Sequence, residues 1–120
     1  MARSQTEFRL ACSVADYLHT CCPDLLWTAF PAGEARTAIT GARLKRMGLA
    51  RGWADYILIL DGGQVAGLEL KAPNGRQSPE QKLVAQAMVQ RGARYFIITD
   101  LAELSAALAS LGVQTRERAA

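Results

Sequence analysis

The chain has 120 residues, 50% of them hydrophobic and 21% charged, with a formal net charge of +3. That is enough for one domain with a real core, and no apolar run approaches the roughly 20 residues a membrane helix requires. The N-terminus, MARSQTEFRL, turns polar at once and has no apolar secretion signal. The expectation is a cytoplasmic protein. Cys12, Cys21 and Cys22 form no C-x-x-C pair, and His19 is the sole histidine. An odd count at that spacing fits structural thiols in a reducing compartment better than disulfides or zinc.

The predicted elements follow in order. Phe8, Cys12, Ala15 and Leu18 recur at helical spacing and predict a helix over 4–20. CCPD breaks it, and LLWTAF (25–30) reads as a short strand. PAGEARTAITG reads as a loop, followed by a short basic helix in ARLKRMG that ends near Gly48. WADYILIL (53–60) is the strongest strand signal, and QVAGLELK (64–71) returns as its hairpin partner. Ser78 and Pro79 open a helix to about Arg91, with Leu83, Ala87 and Met88 on its apolar face. RYFIIT (94–99) reads as a further buried strand, and DLAELSAALASL as a closing helix ended by Gly112. The segment 64–99 suits a right-handed βαβ crossover. Residues 1–112 are expected to form the single domain, with 113–120 a disordered tail.

The charge is not spread evenly. Segment 33–53 holds Arg36, Arg43, Lys45, Arg46 and Arg51 against Glu34 alone, a net +4, while the other 9 basic and 10 acidic residues leave −1. Such a block is either a solvated helix face or the footprint of a phosphate-binding surface.

Within the hairpin, glycine at the third position of a three-residue loop (61–63) fits a bulged turn. That register sets Leu60 opposite Gln64 and, carried back, Asp55 opposite Glu69. Directly opposed Cβ atoms lie about 4.5–5.5 Å apart. The same face carries Lys71 with Ile57, Ile59 and Val65, and the opposite face (Tyr56, Leu58, Leu60, Leu68, Leu70) is apolar too, so the hairpin is expected to be covered on both sides. Two neighbouring buried carboxylates repel, and a divalent cation relieves that repulsion. A buried Asp–Lys–Glu ion network without a ligand is the alternative.

These motifs carry a resemblance. GWAD…GLELK resembles the P-D…(D/E)-x-K signature of the restriction-endonuclease-like superfamily, and the chain is similar to its virus-type replication–repair nuclease (VRR-NUC) family. EFRL, PAGEAR, GARLKRMGLARGWAD, ELKAPNGRQSPEQ and GARYFIIT occur in the family's order, from about Glu7 to Gly112. Ala54 stands where the family usually has proline, and Trp53 is bulkier than the usual residue. The resemblance implies an α/β fold with an αβββαβ core, a small mixed sheet flanked by helices. It also implies that Asp55, Glu69 and the Leu70 carbonyl bind Mg²⁺ or Mn²⁺ and that Lys71 serves the attacking water. Glu7 would orient the metal's water shell, and Gln81 would lie near the substrate backbone. SQTE and SPEQ are also capping boxes, which gives Glu7 and Gln81 a structural alternative.

The function so implied is metal-dependent cleavage of branched DNA, four-way junctions in particular, by a homodimer. Arg36, Arg43, Lys45, Arg46, Arg51 and Arg76 would hold phosphates without reading bases. The alternative is a nucleic-acid-binding module with a nuclease-like fold and no turnover.

Overall fold

Residues 5–30 and 37–116 are described by the computed structural model. Helix α1 (Gln5–Cys21) leads into strand β1 (Leu26–Ala29), and helix α2 (Ala38–Arg46) precedes the hairpin of β2 (Tyr56–Ile59) and β3 (Val65–Leu70). Helix α3 (Pro79–Gln90), strand β4 (Arg94–Ile98) and helix α4 (Leu101–Ser110) complete the chain. The sheet runs β1-β2-β3-β4, antiparallel across the first two pairs and parallel between β3 and β4. This is the αβββαβ order expected, with α2 inserted before β2 and α4 appended.

The hairpin register agrees with the sequence reading. Tyr56 pairs with Leu68 and Ile59 with Val65, closed by the three-residue turn Asp61–Gly63. Gly62 and Gly63 both adopt positive φ there, a conformation that side chains resist. Side chains alternate across the sheet, and one face is the core. Leu58, Leu68, Leu70 and Ile98 meet Val14 and Leu18 of α1 and Leu104 and Leu108 of α4, all fully or almost fully buried. The Tyr56 hydroxyl donates to the Ala11 carbonyl at 2.9 Å, tying α1 to the strand that follows Asp55.

The other face differs from the sequence expectation. Helix α3 covers it only in part, leaving Ile59 38% and Ile97 44% exposed. A groove of about 580 Å³ runs between α3 and β4, lined by Val89, Tyr95 and Ile97 among others. One crossover helix cannot span four strands: Met88, near the end of α3, packs beside Gly67, and Ile59 and Ile97 stay outside its cover.

Two further differences have local causes. Helix α2 starts at Ala38, inside the segment read as loop, because the Thr37 side chain accepts from Thr40 N–H and caps it. Residues 113–116, within the expected tail, are docked: Val113 packs on the core and Arg116 N–H donates to the Cys21 carbonyl at 2.8 Å. Residues 117–120 lie outside the described residues. Cys21 and Cys22 are buried and Cys12 exposed, all as free thiols, and burial pushes the Cys22 thiol above its ordinary range. Among the described residues no helix is long and apolar enough to cross a membrane.

Gly52, in the turn before β2, fixes how closely the first turn of α3 approaches that segment. Its φ is +90°, and a Cβ there would lie 2.5 Å from the Glu80 carbonyl oxygen and 2.9 Å from Gln81 N. Gly52→Ala therefore combines an unfavourable backbone conformation with a backbone clash. It is expected to lower stability by about 2 kcal/mol or more, measured by urea unfolding.

Candidate active site

The first shared feature of the site is where β2 and β3 part. Regular pairing ends at Tyr56 and Leu68. Beyond it, the Asp55 carboxylate takes over as acceptor, receiving Leu70 N–H on Oδ2 at 2.6 Å. That N–H belongs to the peptide joining Glu69 to Leu70, so the Asp55 carboxylate lies against the backbone that carries Glu69. Asp55 is held from its other side by its own carbonyl, which accepts Phe30 N–H at 2.7 Å.

Glu69 is 0% exposed, the one buried charged residue among those described. Its two oxygens are treated differently. Oε1 accepts from the Tyr95 hydroxyl at 2.6 Å and from Gln77 Nε2 at 2.9 Å. Oε2 is buried without any hydrogen-bond donor. The Lys71 ammonium faces it at 3.7 Å, beyond hydrogen-bond reach but close enough to offset charge.

Lys71 is directed elsewhere. Its Nζ donates to Gln81 Oε1 at 2.8 Å. The same oxygen accepts Ser78 N–H at 2.8 Å, while Ser78 Oγ accepts Gln81 N–H at 3.1 Å, completing the capping box of α3. The capping alternative for Gln81 is thus present, and the same oxygen also receives Lys71, a contact the sequence did not suggest.

Tyr95 reaches Glu69 because residue 67 has no side chain. Gly67 pairs with Tyr95 in the parallel ladder, and a Cβ there would lie 3.1 Å from Tyr95 Cδ2, 3.1 Å from Ala54 Cβ and 3.2 Å from Met88 Cε. Burial pushes the Tyr95 phenol well above its usual range, helped by the hydrogen bond to Glu69 and by the charges of Glu69 and Asp55. It is a neutral donor at any ordinary pH, and both carboxylates act on it.

Sequence reasoning did not find Tyr95 or Gln77. The parity of RYFIIT puts Tyr95 on one face with Ile97, which pairs with Glu69, but the parallel register that makes this useful has no local code. Gln77 sits in an irregular loop without a periodic signal.

The remaining candidates are less gathered. Glu7 lies half-buried in the first turn of α1, one turn before Ala11 and hence on the side of the helix that meets Tyr56. Its expected cap partner, Ser4, is outside the described residues, as are Arg36 and the rest of PAGEAR. Arg43, Lys45 and Arg46 form the exposed last turn of α2. Arg51 and Arg76 are exposed on loops, Arg76 directly before Gln77. Leu70 buries its side chain in the core and gives its N–H to Asp55. Ala54 is buried, and the Trp53 ring leans on Phe30 with centroids 6.4 Å apart.

Comparison with solved structures gives this fold a precedent. A structure described as a "VRR_NUC domain" superposes with a TM-score of 0.61 at 18% identity, covering 89% of this chain and 97% of that one. Another, described as a "VRR_NUC domain protein", superposes with a TM-score of 0.66 at 16% identity, covering 93% of each chain. The chain has the α/β fold of these domains, a four-stranded mixed sheet with flanking helices. No protein-family model matches the sequence. No curated protein matches it either.

The double use of Gln81 is measurable. Ser78→Ala removes one cap bond and is expected to cost about 1 kcal/mol. Gln81→Ala removes a cap bond and the acceptor of Lys71, whose side chain is only 13% exposed, and should cost about 1 kcal/mol more. Urea unfolding of both variants checks the difference.

Proposed function

We propose that this protein is a nuclease of the VRR-NUC type, hydrolysing phosphodiester bonds with a divalent cation held by Asp55 and Glu69. The observation that carries this reading is the unequal treatment of the Glu69 oxygens. A self-contained ion network would give each buried carboxylate oxygen a donor. Here one oxygen has two and the other none, with the nearby ammonium turned to Gln81. The fold likeness to VRR_NUC domains points the same way.

The donor set fits Mg²⁺ or Mn²⁺. Both side-chain donors are hard carboxylate oxygens, and among the described residues no cluster of three or more His, Cys, Asp or Glu side chains exists. Mg²⁺ suits such a sparse site, because it keeps several waters and takes few protein ligands. The Leu70 carbonyl would be a further ligand. When bound, the ion would polarise a phosphoryl oxygen and acidify a coordinated water.

The chain's own residues divide the remaining work. Asp55 and Glu69 set the negative charge at the end of the hairpin. Lys71, anchored by Gln81, presents a fixed positive charge beside them, suited to orienting the attacking water and the phosphate. Glu7 would orient the metal's water shell from α1. Gln81 would lie near the substrate backbone. Arg36, Arg43, Lys45, Arg46, Arg51 and Arg76 would hold backbone phosphates, giving affinity governed by shape and not by base sequence. The substrate we propose is branched DNA, four-way junctions in particular, cut by a homodimer whose two-fold axis sets one site on each of two symmetrical strands.

Asp55→Asn and Glu69→Gln keep shape and remove charge. Each is expected to abolish Mg²⁺-dependent cleavage of a labelled junction while the melting temperature stays near that of the parent. Full activity in both purified variants would rule out this site. A panel of junction, flap and linear substrates, with a solution mass, tests the substrate and the dimer; DNA retardation without products in any metal would favour binding alone.

The basic block makes a separate prediction. DNA affinity should fall linearly on a log–log plot against salt, with a slope of about 0.9 per phosphate contacted. The double variant Arg43→Ala/Arg46→Ala is expected to lower that slope by about 2, read from fluorescence anisotropy between low and moderate salt.

A further inference from the structure

The arrangement around Glu69 assigns a role to two residues that lie outside the recognised motif. A carboxylate offers about four acceptor positions, two on each oxygen. The Tyr95 hydroxyl at 2.6 Å and Gln77 Nε2 at 2.9 Å together fill those of Oε1. Oε2 has no hydrogen-bond donor and faces only the Lys71 ammonium, at 3.7 Å. We infer that Tyr95 and Gln77 make Glu69 a one-oxygen ligand, and that this bias selects a small octahedral cation such as Mg²⁺ against Ca²⁺. The inference rests on the metal site proposed above.

The chemistry of the two ions gives the selection its direction. Mg²⁺ demands near-ideal octahedral geometry and takes a carboxylate through one oxygen, whereas Ca²⁺ accepts 6–8 oxygens and readily takes both oxygens of one carboxylate. A Glu69 whose Oε1 is occupied by two donors cannot offer that second oxygen unless at least one of the bonds breaks. Neither donor is free to withdraw. The Tyr95 ring is seated in the space left by Gly67, which holds its hydroxyl 2.6 Å from Oε1. Gln77 directly precedes the Ser78 cap of α3, whose backbone N–H is bonded to Gln81. Tyr95 and Gln77 are positioning residues: they act on the ion through Glu69.

The test is the ratio of Ca²⁺ to Mg²⁺ affinity in the intact chain without DNA. Bound Mn²⁺ is followed by electron paramagnetic resonance and displaced by either ion. Tyr95→Phe keeps the ring and removes one donor; Gln77→Leu removes the other from a loop outside the core. In each variant, freeing an acceptor position on Oε1 is expected to shift the ratio toward Ca²⁺ by about 10-fold. Thermal melting confirms that each variant is folded, and either one alone carries the test if the other is not. A loosened site without selectivity would weaken both ions equally, and an unchanged ratio with Mn²⁺ still bound overturns this inference alone. A parent protein that binds neither Mn²⁺ nor Mg²⁺ overturns the metal site along with it.

Discussion

A carboxylate with no exposure at the end of a hairpin is the constraint from which the surrounding structure follows. Withdrawing such a group from water carries a penalty of several kcal/mol unless donors replace the lost hydration. Glu69 recovers part of this from Tyr95 and Gln77, and part from the Lys71 ammonium. Each of those partners has its own structural requirement. Tyr95 needs the missing side chain of Gly67, and Lys71 needs the acceptor on Gln81. Gln81 in turn needs the start of α3 to lie against Gly52, where no Cβ would fit. Gly67 is set by distance alone, Gly52 by distance and a positive φ together.

This chain of requirements couples local stability to the candidate chemistry. Gln81 closes the N-terminus of α3 and holds the lysine with the same oxygen. The first turn of α3 and the orientation of Lys71 are therefore one structural event. A helix N-terminus carries partial positive charge, so the lysine and the helix end present the same sign on one side of the carboxylates. Asp55 has a similar double position. Its backbone carbonyl extends the β1–β2 ladder and its side chain ends the β2–β3 ladder. Rigid strands on both sides thus fix the acid more tightly than a loop would.

How much of this was legible depends on whether the deciding information is local. The hairpin register could be read because three adjacent residues, with glycine last, set it, and the opposition of residues 55 and 69 follows by counting. The parallel pairing of β3 with β4 is fixed by a helical crossover and its packing, which leaves no signature within RYFIIT. Tyr95 was therefore read as an ordinary member of a buried strand. Helix α2 begins before the sequence reading places it: TAIT is rich in β-branched residues of modest helix propensity, and the Thr37 cap outweighs them. The open part of the second sheet face was missed for another reason. Alternation reports which residues share a face but not how wide a helix covers it, so Ile59 and Ile97 could not be separated from Ile57.

The two readings left open by the sequence, a closed ion network and a cation site, make different demands on Lys71. In a closed Asp–Lys–Glu network the lysine neutralises the carboxylates, and its shortest contact should be with one of them. Its shortest contact is instead with a neutral amide at 2.8 Å, and the carboxylate oxygen it faces is 3.7 Å away. A largely buried charge pair would gain by closing that gap, since charge-assisted bonds are about twice as strong as neutral ones. The Gln81 oxygen that prevents this is itself pinned by the Ser78 N–H. The fold therefore keeps the ammonium near Glu69 while holding it short of Oε2, an arrangement that serves a site for a further positive charge and works against a self-neutralised core.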